Sequence, residues 1–123
     1  MAKILLAEDD HAMRTFLCAA LQKAGHDVVD CENGKDAWLQ IHKNKDFDLL
    51  LTDIVMPGMD GIELSQKATK NIPSIKTMFI TGFSAVSVGK DAKKDHTDHH
   101  TKIMSKPFHL KDLINEVETL LAE

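Results

Sequence analysis

The chain predicts a doubly wound α/β fold, a five-stranded parallel sheet with helices on both faces. Two observations carry that prediction. Short, continuously apolar runs such as Ile4-Leu-Leu-Ala7 and Leu49-Leu-Leu51 recur along the chain, and runs without polar alternation suit strands buried on both sides. Between them lie segments whose apolar residues return every three or four positions, the spacing of an amphipathic helix. Right-handed crossovers turn this alternation into an open three-layer sandwich. A chain of 123 residues suits one domain and can bury about two thirds of its unfolded surface.

Taken in order, residues 3–7 form the first strand. From His11 to Ala24, the residues Met13, Phe16, Leu17, Ala20, Leu21 and Ala24 keep helical spacing, and Gly25 is a natural stop. Residues 26–30 read as a second, more polar strand, which suits a sheet edge. Asn33-Gly34 opens a second helix with Ala37, Trp38 and Ile41 on one face. Residues 47–52 are the most apolar strand and suit the centre. A third helix over 61–70 carries Ile62, Leu64 and Ala68, and Pro73 marks its end. Residues 77–81 and 102–105 supply the fourth and fifth strands. In the last helix Leu110, Leu113, Ile114, Val117, Leu120 and Leu121 fall at offsets 0, 3, 4, 7, 10 and 11.

One segment breaks the rhythm. Alternation requires a fourth helix between Val86 and Thr101, yet past Val88 its only apolar residue is Ala92. Without an apolar stripe to hold it on the sheet, it is expected to be a short, frayed helix or a mobile loop.

Composition excludes several function classes. The net charge of −4 leaves no electrostatic footprint for nucleic acid. Lys90, Lys93 and Lys94 alternate with Asp91 and Asp95, a solvated segment rather than a basic patch. No apolar run approaches the roughly 20 residues needed to span a membrane, and the N-terminus turns acidic too soon for a signal peptide. A cytoplasmic protein that engages neither nucleic acid nor membrane is expected. Cys18 and Cys31 lack metal-ligand spacing and are expected as free thiols, with Cys18 buried on a helix face.

Ligand sites of open parallel sheets lie at the carboxyl ends of the strands. Here the first strand runs into Glu8-Asp9-Asp10, the third into Asp53, the fourth into Thr81-Gly82 and the fifth into Ser105-Lys106-Pro107. Asp9, Asp10 and Asp53 gathered together would repel one another. A bound hard cation relieves the repulsion, and a few carboxylates with retained waters suit Mg2+. With Thr81 and Lys106 available for phosphoryl oxygens, the rim fits phosphoryl transfer to a carboxylate. The plainer reading is that strand-end aspartates are helix caps. Asp10 suits that role for the first helix in addition to a site role, and Asp60 suits it for the third. His96, His99 and His100 fit a solvated loop better than a metal site, and Met56, Met59, Met78 and Trp38 fit packing.

The ordered set Glu8-Asp9-Asp10, Asp53 with Met56-Pro57 and Asp60-Gly61, Thr81-Gly82 and Lys106-Pro107-Phe108 resembles the response-regulator receiver domains of two-component signalling. The resemblance runs over essentially the whole chain. It implies a flavodoxin-like strand order 2-1-3-4-5, which the polar second strand and apolar third strand fit. It implies that Asp53 accepts a phosphoryl group from a histidine kinase or a histidine phosphotransfer protein. Asp10, Asp53 and the Val55 carbonyl would hold Mg2+, with Asp9 acting through metal-bound water. Thr81 would bind phosphoryl oxygens, and Lys106 would pair with acceptor and phosphate.

A narrower resemblance, to single-domain cell-cycle receivers, rests on Leu50 to Leu64, Met78-Phe-Ile-Thr-Gly-Phe83 and Ser105-Lys-Pro-Phe-His-Leu110. It implies an adaptor for the ClpXP protease, with the ClpX unfoldase as output partner. Because the chain stops just after the last helix, residues 1–123 are expected to form a single receiver domain with no output domain. Two departures qualify the pattern. Receivers usually carry an aromatic three residues before the lysine, where this chain has Ile103, and the 25 positions from Thr81 to Lys106 exceed the usual spacing. The usual threonine–aromatic switch is therefore in question, and the face carrying the fourth helix is expected to be specialised. A phosphatase of the haloacid-dehalogenase type needs an acid two residues after its nucleophile; Val55 stands there. A constitutive binding module that is never phosphorylated is the remaining alternative.

Overall fold

A computed structural model describes residues 2–82 and 101–123. Its strands are β1 (Lys3–Ala7), β2 (Asp27–Cys31), β3 (Leu49–Asp53), β4 (Lys76–Thr81) and β5 (Thr101–Ser105). Its helices, among the described residues, are α1 (His11–Lys23), α2 (Gly34–Lys43), α3 (Gly61–Asn71) and α4 (Leu110–Ala122). All pairings are parallel and the order is β2-β1-β3-β4-β5, as expected. The fourth helix sought between Val86 and Thr101 falls outside the described residues, apart from Thr101 in β5.

Strand polarity follows the layers. Every residue of β3 and β4 is buried, whereas β2 pairs with one neighbour and keeps exposed Asp27 and Asp30. On one face Ile4, Leu6, Leu49, Leu51, Met78 and Ile80 pack against Leu17 and Leu21 of α1 and Leu113, Val117 and Leu120 of α4. On the other, Leu5, Ala7 and Leu50 meet Ala37 and Ile41 of α2 and Leu64 and Ala68 of α3. Alternate residues of β1 and β3 thus serve opposite layers, as the pleat requires.

Among the described residues, three helices begin on a side-chain cap. Asp10, Asn33 and Asp60 accept hydrogen bonds from the backbone N–H groups of Met13, Asp36 and Glu63, each worth about 1 kcal/mol. The left-handed backbone after α1 falls on Gly25, and that in the loop after β3 on Gly58, where the missing Cβ removes the steric penalty. At the other end of the sheet, the buried Lys76 donates to the main-chain oxygens of Leu120 and Glu123, which fastens α4 to β4 through the last-turn carbonyls.

Two expectations about α1 need correction. Phe16, placed on its apolar stripe, is 52 % exposed. It precedes Leu17, so it lies about 100° round the helix from the buried Leu17–Leu21 line. Cys18 is half-buried rather than buried; both cysteines are free.

Candidate functional site

Asp53 is the last residue of β3, paired opposite Ile80 of β4. The strand is held in register one step further, where the Ile54 N–H donates to the Ile80 carbonyl at 3.0 Å. The Thr52 hydroxyl donates to the Asp53 carbonyl at 2.8 Å, and the Gly61 N–H to the Ile54 carbonyl at 2.7 Å. The first residue of α3 therefore sits directly on the end of β3. A Cβ at Gly61 would overlap the Asp53 carbonyl, so only glycine allows this approach. The Asp53 side chain is 11 % exposed: anchored in the sheet, but open at the rim.

Lys106 arrives from the neighbouring side. Its N–H donates to the Thr81 carbonyl at 2.7 Å, continuing the β4–β5 ladder beyond the Thr81–Ser105 pair. Its Nζ lies 3.3 Å from Asp53 Oδ2 and 3.3 Å from Glu8 Oε1. Thr81 is fully buried at the end of β4, one position beyond the residue opposite Asp53.

Glu8 is the acid that sequence reasoning passed over. It is wholly buried, and its N–H donates to the Cys31 carbonyl at 3.1 Å. Its Oε2 accepts from the Asp10 N–H at 3.1 Å, while Oε1 faces Lys106. Carboxylate oxygens of Glu8, Asp9 and Asp53 lie within 4.8 Å of one another. Asp10, expected among the cation ligands, is not in this group. Its Oδ1 accepts from the Met13 N–H at 3.1 Å and caps α1. The reason is one of spacing: β1 ends at Ala7 and α1 starts at His11, so the third acid of the run falls at the cap and the first at the sheet edge. A helix beginning at His11 uses the Asp10 carboxylate, and that was the signal available for Glu8.

Electrostatics show how crowded the pocket is. Burial pushes the Glu8 carboxyl from its ordinary 4.5 to about 7; the Asp10 N–H opposes this, the Asp53 charge adds to it and Lys106 subtracts. Burial alone would lower the Lys106 ammonium, yet the Glu8 and Asp53 carboxylates outweigh it and hold the group above its ordinary value. Among the described residues one ammonium thus stands against three clustered acids, which leaves negative charge in surplus. An all-oxygen donor set with surplus negative charge at the solvent rim fits a hard divalent cation. Val55 follows in the loop and is 51 % exposed. Asp60 caps α3 and stays outside the acid group. Ile103 stands opposite Phe79 in the β4–β5 pairing and is half-buried.

The family model described as the response regulator receiver domain matches residues 4–118. The chain belongs to that family. Relatives of this receiver include the response regulator receiver protein CpdR of Brucella abortus (strain 2308), 52 % identical over 98 % of each chain. That likeness bears out the narrower resemblance to a single-domain receiver. Among solved structures, a response regulator receiver protein from Sinorhizobium medicae WSM419 superimposes with a TM-score of 0.87 at 26 % identity, covering 98 % of this chain and 94 % of the other. The receiver domain of the hybrid histidine kinase CckA gives 0.81 at 29 % identity, covering 97 % and 98 %. The receiver is a two-component signalling regulator, and among its described residues no helix is long and apolar enough to cross a membrane.

Proposed function

We propose that this receiver is a phosphorylation switch in which Asp53 takes a phosphoryl group from the phosphohistidine of a histidine kinase or histidine phosphotransfer protein. The observation that carries the reading is the Lys106 ammonium set equally between Asp53 and the buried Glu8, with Asp9 beside them. In the transfer, an Asp53 oxygen forms the new P–O bond as the P–N bond breaks, and the imidazole keeps the electron pair. Lys106 is within reach of the phosphoryl oxygens, and Thr81 at the end of the adjacent strand supplies a hydroxyl to them.

Mg2+ is the cofactor that fits the acid group. Asp9, Asp53 and the Val55 carbonyl would hold it, and Glu8 would act through a bound water. The expected assignments thus move one position back along the chain, Asp9 taking the place proposed for Asp10. When bound, the ion supplies positive charge to neutralise the developing phosphoryl charge. Glu8, with burial favouring its protonated form in the metal-free pocket, gives up its proton more readily as positive charge arrives.

The likeness to CpdR, matched over 98 % of that protein's length, extends the reading to a cytoplasmic regulator of the single-domain kind. Output is then a protein contact, and a cell-cycle adaptor role toward the ClpX unfoldase follows from the likeness to CpdR. Phosphorylation adds close to two negative charges at the rim and competes with Glu8 for Lys106, which leads directly into α4. Val55 offers no acid two residues after Asp53, so sustained phosphatase turnover is not part of the reading. Beryllofluoride with Mg2+ tests it: the amide resonances of Asp9, Asp53 and Lys106 should shift in the wild type and stay fixed in Asp53→Ala. Equal shifts in both would reject it. For the output, a ClpX pull-down that does not differ between wild type under phosphorylating conditions and Asp53→Ala would reject the adaptor role.

A further inference from the structure

The acids at the end of β1 are borne by a short turn, Glu8 to Asp10, between strand and helix. Asp9 is exposed, so its aim into the acid group is set by the backbone that carries it rather than by packing around its side chain. Besides the Glu8 carboxylate, which accepts from the Asp10 N–H, one side chain from outside the turn grips that backbone among the described residues. Arg14 Nη1 donates to the Glu8 carbonyl at 2.9 Å. The same guanidinium places Nε 3.4 Å from Asp30 Oδ2 on β2 and Nη2 3.1 Å from His11 Nδ1 in the first turn of α1. The Arg14 side chain is 13 % exposed and its own N–H donates to the Asp10 carbonyl at 2.9 Å. A single planar fork therefore ties together the end of β1, the end of β2 and the start of α1.

We infer that Arg14 is a positioning residue for the cation site, fixing the Glu8–Asp9 peptide so that both carboxylates face Asp53. The inference rests on the proposed Mg2+-assisted reading and deepens it. Arg14 meets the Glu8 carbonyl and not its carboxylate; the charges set against that carboxylate are those of Asp53 and Lys106. Its action is therefore geometric. Only a fork with several fixed donors can hold the Glu8 carbonyl and Asp30 at once; a lysine at this position has one flexible ammonium for both. Outer partners that orient metal ligands commonly set affinity by ten- to a hundredfold.

The test is calorimetric titration of the intact chain with Mg2+ for wild type, Arg14→Met, Arg14→Lys and Asp30→Asn, alongside urea unfolding of each in EDTA. Arg14→Met should bind Mg2+ about tenfold or more weakly under conditions where its unfolding curve shows it fully folded. Asp30→Asn should weaken binding in the same direction by less, since the Glu8 carbonyl bond survives. Arg14→Lys should recover only part of the loss. Affinity within twofold of wild type in folded Arg14→Met would overturn the inference, as would full recovery in Arg14→Lys, which would make the effect one of charge. Should Arg14→Met not fold, Asp30→Asn and Arg14→Lys decide: wild-type affinity in both overturns the inference. A wild type that binds no Mg2+ would instead remove the reading on which it rests.

Discussion

Replacing Glu8 by glutamine should stabilise the metal-free protein at high pH. Glu8 titrates near 7 in the fold against 4.5 in its ordinary state, mainly through burial. The native state then keeps this proton over a range where the unfolded chain has released it. Deprotonation favours unfolding, so the stability held by the neutral form is complete below about pH 4.5 and is lost as pH rises through about 7. Such a displacement corresponds to roughly 3 kcal/mol at most. Glutamine removes the charge while keeping an oxygen for the Asp10 N–H, and Lys106 retains Asp53. Measured by urea unfolding in EDTA, the variant should gain about 1–3 kcal/mol relative to wild type between pH 4.5 and pH 8. Groups common to both proteins cancel in that difference. Parallel stability–pH curves, or a wild type that gains on the variant as pH rises, would refute the account of a crowded acid pocket.

Other outcomes follow from the same geometry. Gly61→Ala forces the start of α3 off the Asp53 carbonyl and should cost about 1–3 kcal/mol in chemical denaturation, with slower labelling by a small-molecule phosphodonor. Asp10→Ala should cost about 1 kcal/mol through the lost α1 cap and leave Mg2+ affinity nearly unchanged by calorimetry. Asp9→Ala should do the reverse, losing Mg2+ binding with little change in the urea midpoint. Leu51→Ala, at a fully buried position in the central strand, should cost about 2–5 kcal/mol.

The full strand order came with the resemblance to receivers, but a central third strand and an edge second strand were legible because the apolar runs differ in kind. Leu49-Leu-Leu51 has no polar face and sits at the centre, while Asp27 and Asp30 mark the edge. Asp53 and Lys106 were legible because strand ends converge on one rim in this architecture. Glu8 was not, since three consecutive acids offer no pattern of their own. Which of them reaches the pocket depends on where β1 ends and α1 begins, a boundary of one or two residues. Phe16 was misplaced for a related reason: helical spacing identifies a face but not its width, and the buried line of α1 is only Leu17 and Leu21. Arg14 had no sequence signal at all, because its partners lie on three different elements.

The central claim is that Asp53 is the phosphoacceptor. Intact-mass measurement after incubation with acetyl phosphate and Mg2+ tests it most directly. Wild type should gain one phosphoryl group that hydroxylamine removes, as an acyl phosphate requires, while Asp53→Ala and wild type in EDTA should gain none. Equal labelling of Asp53→Ala, or a hydroxylamine-resistant label on the wild type, would contradict it.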